Sequence, residues 1–99
     1  MPDELKVTDN QAEGRFEATL DGHLGVLEYQ LQGDRLQLDH TEVAEELGGR
    51  GVAGRLVAAA VDRAAEEGLT VVPVCSYART WLERHPDVAG RVEVIAPPA

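Results

Sequence analysis

Two groups of residues in this chain have the types and spacing for chemistry. The first is Gly48-Gly49-Arg50-Gly51-Val52-Ala53-Gly54, four glycines in seven positions that run directly into a helical pattern. Glycine lets a backbone approach a ligand closely, and a helix start adds the positive end of its dipole. Together they make an anion cradle of the kind that holds a phosphorylated cofactor. The second is Cys75, the single cysteine, after a valine-rich run, where open α/β sheets place their ligands. A helix beginning near Tyr77 would lower its pKa and activate it; the alternative is a small buried hydrophobe. His40 is a candidate general base whose neutral ring takes up a proton near neutral pH, and Glu42 is the alternative base. His40 shares an alternating face with Leu36 and Leu38, which also suits a core histidine. Glu42 suits a solvated acidic loop equally well. Three histidines, at 23, 40 and 85, with one cysteine do not make a metal-ligand spacing.

Two nucleotide motifs are close to the glycine cluster and neither fits. Gly49 to Gly54 reads G-x-G-x-x-G, but that fingerprint follows its strand through a tight turn inside a βαβ unit, with an acidic residue ending the next strand. Here Ala44-Glu45-Glu46-Leu47-Gly48 intervenes, and the next strand ends Pro73-Val74-Cys75. A phosphate loop of the Walker type needs Lys and Ser/Thr after Gly54, where Arg55-Leu56 stands.

The elements that position these residues follow from periodicity. Residues 15–20 alternate polar and apolar as a half-buried strand, and Asp21-Gly22 is a strong hairpin signal. A second strand over 23–32 puts Leu27, Tyr29 and Leu31 on one face. After the turn Gly33-Asp34, a third strand over 35–43 puts Leu36, Leu38 and His40 on one face and Gln37, Asp39 and Thr41 on the other. From Val52 the apolar positions Ala53, Leu56, Val57, Ala60, Val61, Ala64 and Ala65 follow helical spacing, and Gly68 is a natural stop. Residues 69–74 read as a strand buried on both faces, parallel to its predecessor across a helix-length crossover. A short helix over 77–85 ends at Pro86, with His85 as its cap and Trp81 in the core, and 91–95 would be a last strand. Residues 1–11 are polar, with only Leu5 and Val7 to bury, and are expected to include a loose tail; 96–99 form another. The expected fold is α/β: an antiparallel meander, then β-α-β-α-β, in one mixed sheet and one domain over residues 1–99.

Composition bounds the partners. The chain is 43% hydrophobic and 27% charged, as in an ordinary globular domain, and eighteen acidic against nine basic residues leave a net charge of −9. That excludes the broad basic footprint of nucleic-acid or anionic-membrane binding, though Arg50 and Arg55 would supply a local basic pocket. No run approaches the roughly 20 apolar residues of a membrane span, and Met1-Pro2-Asp3-Glu4 does not read as a signal peptide. A lone cysteine fits a reducing cytosol. A monomer or weak dimer is expected.

The segment from Thr41 to Leu56 resembles the acetyl-CoA signature of the GNAT superfamily of N-acetyltransferases. That signature, strand, loop, Q/R-x-x-G-x-G/A and helix, falls here on Gly48 through Ala53. His40-Thr41-Glu42-Val43 before it is similar to the minimal single-domain group of that superfamily. So are Pro73-Val74-Cys75-Ser76-Tyr77-Ala78, Trp81 and His85-Pro86 after it, and the likeness covers roughly residues 14–94. The leading Q/R is Gly48 here, and Arg50 would replace its charge. The resemblance implies acetyl-CoA held by the amides of Gly49, Arg50, Gly51, Val52, Ala53 and Gly54. It implies pantetheine along Val43, whose amide would serve as oxyanion donor, with Ser76 nearby. It implies Cys75 near the acetyl group, as channel lining or as acyl carrier, and Tyr77 as proton donor to the departing thiolate. The implied activity is transfer of acetyl to an amine of a protein or small molecule, with a cationic acceptor favoured. The alternative is a non-catalytic CoA-binding or protein-interaction module.

Overall fold

The computed structural model describes residues 5–97. Five strands form one mixed sheet in sequence order: β1 (Lys6–Asn10), β2 (Arg15–Leu20), β3 (His23–Gln32), β4 (Arg35–Val43) and β5 (Thr70–Pro73). The first four are antiparallel, β2 to β4 joined through the expected turns at Asp21-Gly22 and Gly33-Asp34, and β5 adds parallel to β4. A single 3-10 turn (Glu45–Leu47) leads into α1 (Val52–Glu67), the crossover helix; α2 (Ser76–Arg84) and α3 (Pro86–Ala89) follow β5.

The helix stripe predicted for α1 supplies the core. Leu56, Val57, Ala60, Val61 and Ala64 are buried against Phe16, Ala18, Leu27, Leu36 and Leu38 of the sheet, whereas Ala65, expected in the stripe, is exposed. α1 ends at Gly68, where the Leu69 amide reaches back to the Ala64 carbonyl. The opposite face of the meander carries mostly polar side chains with Leu24 and Val26 among them, and among the described residues no helix covers it.

Three expectations change. The polar start is not loose from Leu5 onward: β1 pairs along β2, with Leu5 and Val7 packed on the core. Its third inward residue is Asp9, whose carboxylate accepts from the Tyr29 hydroxyl at 2.6 Å and from Arg63 of α1 at 3.0 Å. A buried-face strand therefore hides behind a polar residue with partners. Met1-Pro2-Asp3-Glu4 and Pro98-Ala99 of the expected tails lie outside the described residues. At the other end, the strand expected over 91–95 is a single parallel bridge, Val71 to Val94. Pro86 both stops α2 and opens α3, because its fixed φ suits a first helical position.

The third change matters most. Along β3 and β4, Glu28 faces His40 but Tyr29 faces Leu38, so Asp39 is one residue too many. Such a bulge reverses which side chains face the core beyond it. Leu36 and Leu38 are buried, but His40 is exposed, and Thr41 and Val43 turn inward instead. His40 is thus not on the face of Leu36 and Leu38.

Candidate active site

The glycine loop is built as a donor surface. Gly49 and Gly51 take φ of 77° and 73°, a left-handed backbone that other residues adopt only with strain. Gly51 is the N-cap of α1; no side chain caps the helix, and its first turn holds no acid. Among the described residues, the amides of Gly49, Gly51, Val52, Ala53 and Gly54 meet no acceptor. Orphan amides at a helix start, with the dipole behind them, attract an anion. Gly49, Gly51, Val52 and Ala53 line a groove of about 290 Å³, together with Val43 and Tyr77, among others.

Two members of the loop have other duties. A Cβ on Gly54 would lie 2.5 Å from the Trp81 Nε1, so this glycine gives α2 room to lie against α1. Its amide meets no acceptor, but Gly54 is buried and does not line the groove. The Arg50 guanidinium is turned to the hairpin tip, where it pairs with Asp21 at 3.0 Å, and Arg55 is exposed. The expected basic pocket is therefore not assembled: the positive character of the groove comes from main-chain amides.

The groove continues along β4. Pairing of β4 with β5 ends at Leu38 and Pro73, and the Leu38 carbonyl accepts from both the Val74 and Cys75 amides, at 3.0 and 2.9 Å. Beyond that point residues 39–43 have no partner on β5, and the strands part. Cys75 stands in the opening, as N-cap of α2. Its Sγ lies 3.3 Å from the Thr41 Oγ1. Burial pushes the thiol up, but the Thr41 hydroxyl and the amides of Ala78, Tyr77 and Thr41 outweigh it and hold the thiol below its ordinary value. Tyr77, partly exposed on the groove wall, has its phenol pushed up by burial and by charge on Cys75, so it keeps its proton.

The remaining candidates are not brought to the sulfur. His40 and Glu42 lie 3.5 Å from each other, largely exposed, on the uncovered face of the sheet. The bulge separates them from Cys75. Ser76 is exposed as the first residue of α2. Trp81 packs under α1, and His85 stacks on it at 4.0 Å and hydrogen-bonds its carbonyl at 2.7 Å, closing the helix as expected. The residue that sequence reasoning missed is Thr41. Its signal was a change of parity: the apolar positions of β4 are even at Leu36 and Leu38 and odd at Val43.

Comparison with known proteins bears on the family and the fold. Residues 15–91 match the family described as GCN5-related N-acetyl-transferase. Protein NATD1 of Mus musculus is 33% identical over 85 residues, which cover 83% of this chain and 77% of the relative. For protein NATD1 of Homo sapiens the identity is also 33% over 85 residues, with 83% and 75% covered. The NMR structure of a GCN5-like protein from Staphylococcus aureus superposes with a TM-score of 0.69 at 27% identity, covering 98% of this chain and 92% of that one. With the profile spanning meander, glycine loop and α2 alike, this chain belongs to the GCN5-related N-acetyltransferase family.

Proposed function

We propose that this protein binds acetyl-CoA and transfers its acetyl group to an amine. The observation that carries this reading is the set of five amides without acceptors, four of them on residues that line a groove that also reaches Tyr77 and the free end of β4. The amides of Gly49 and of Gly51 to Gly54 hold the pyrophosphate. The unpaired edge at Val43 aligns the pantetheine, and its amide faces the oxyanion that forms at the thioester carbonyl. When bound, acetyl-CoA supplies an activated acyl group; the amine forms a C–N bond to its carbonyl as the C–S bond breaks. Tyr77, which keeps its proton, donates to the departing thiolate, and the proton that the amine nitrogen gives up returns to the Tyr77 oxygen through solvent. The net charge of −9 favours an acceptor that carries further positive charge.

A second route is favoured by the donors gathered around Cys75. Its thiolate adds to the thioester carbonyl, the bond from carbon to the CoA sulfur breaks, and CoA leaves and takes a proton. The amine then displaces Cys75 from the acyl group. A free thiol in this role fits a reducing compartment.

Thermal unfolding with and without acetyl-CoA tests the reading. At about one hundred times the dissociation constant, binding adds about 2.7 kcal/mol, on the order of 10 °C for a domain of this size. An unchanged midpoint at millimolar acetyl-CoA overturns it. A shift without acetylation of a polyamine or a lysine peptide identifies a CoA-binding module instead.

A further inference from the structure

Asp39 determines which side chain of β4 reaches Cys75. Without the extra residue the period of two would turn His40 toward the helices, giving the sulfur an imidazole neighbour, the usual partner of a nucleophilic thiol. With it, the neighbour is Thr41, a hydroxyl that cannot act as a base near neutral pH. Among the described residues the hydrogen-bond partner of Sγ is the Thr41 hydroxyl, at 3.3 Å, and the amides of Ala78, Tyr77 and Thr41 act with it to favour the thiolate. All of these can donate, and a donor favours the charged form of sulfur.

The geometry assigns to Thr41 the part of a positioning residue: its hydroxyl donates to the Cys75 sulfur and holds it, without a base, at the opening between β4 and β5. The surrounding ionisable groups leave this part to Thr41. On α2, Tyr77 responds to the sulfur's charge, and the Arg79 guanidinium is held by the Val74 carbonyl at 3.2 Å. On β4, His40 and Glu42 lie across the sheet. β5 (Thr-Val-Val-Pro) brings no titratable side chain, and α1 has no acid in its first turn. The use of this arrangement in catalysis rests on the proposed acetyl transfer; the arrangement itself does not.

The experiment is the pH dependence of Cys75 alkylation by iodoacetamide in the whole protein. Thr41→Val keeps the branched shape and the backbone amide but removes the donor. We expect its midpoint about one pH unit above wild type, and its alkylation at pH 7 slowed about tenfold. Thr41→Ser, which retains the hydroxyl, returns the wild-type profile, and Thr41→Ala follows Thr41→Val should the valine variant fail to fold. Far-UV circular dichroism and the acetyl-CoA thermal shift stay at wild-type values throughout. A donorless variant with the wild-type pH profile overturns the assignment, as does Thr41→Ser behaving like Thr41→Val. Loss of the acetyl-CoA shift in wild type overturns the functional reading and leaves the alkylation result standing, so the two failures are distinct.

Discussion

At the scale of single residues, the proposed reading turns on one sulfur and the hydroxyl beside it. If the second route operates, intact mass after incubation with acetyl-CoA at pH 7 shows one acetyl on wild type and none on Cys75→Ala. Equal uptake by both would remove Cys75 as carrier and leave direct attack by the amine. Because its thiol ionises below the ordinary value, acetyl uptake should rise with pH at lower pH than for a free cysteine. The same displacement means that ionisation of Cys75 stabilises the fold above the unfolded pKa, a contribution lost as pH falls through the folded one. Much of this was readable beforehand. Cys75, Tyr77 and the glycines stand out because their types are rare or backbone-specific. Thr41 and His40 exchanged places because one extra residue in a strand leaves no mark of its own, only a shift in which positions are apolar.

Between elements, the contact that sets the groove is α1 against α2. The Trp81 indole has little freedom to yield, since His85 lies flat on it at 4.0 Å and binds the Trp81 carbonyl. Gly54→Ala therefore drives α2 outward. Helix propensity gains up to about 1 kcal/mol from that substitution, but overpacking costs about 1–3 kcal/mol, so the net effect is destabilising. A lower denaturant midpoint and a weaker acetyl-CoA shift are expected, with both restored in part by adding Trp81→Phe, which takes away the indole nitrogen in contact. A Gly54→Ala variant as stable as wild type would show that α2 yields freely. The helix and the two hairpins could be read from the chain because each has its own period and turn residues. β1 could not, since Asp9 occupies a core-facing position by virtue of Tyr29 and Arg63, which lie far away in sequence. The expected last strand failed because only Val71 has a pairing partner there.

Across the whole molecule, one helical layer covers one face of the sheet, and the radius of gyration of 12.9 Å equals the roughly 13 Å of a compact domain of this length. The bare face carries Glu17, Glu28, Asp39, His40 and Glu42, and no described helix is long and apolar enough to cross a membrane. A strongly negative body should attract a polyamine from a distance, an effect screened once the Debye length falls below about 10 Å. We expect kcat/KM for a polyamine acceptor to drop severalfold between low salt and 0.3 M, and kcat to change little. A flat salt profile would argue for an uncharged acceptor.

The hairpin tip that holds Arg50 also steadies the loop behind it. Asp21 binds Arg50 at 3.0 Å, the Ala44 amide binds the Leu24 carbonyl at 3.0 Å, and His23 faces Glu46 at 3.8 Å. On the proposed reading, the cradle stands in its binding conformation before a ligand arrives. Association then requires no prior rearrangement, its rate is set by encounter, and differences in affinity between acyl-CoA species would be expressed in how slowly they leave.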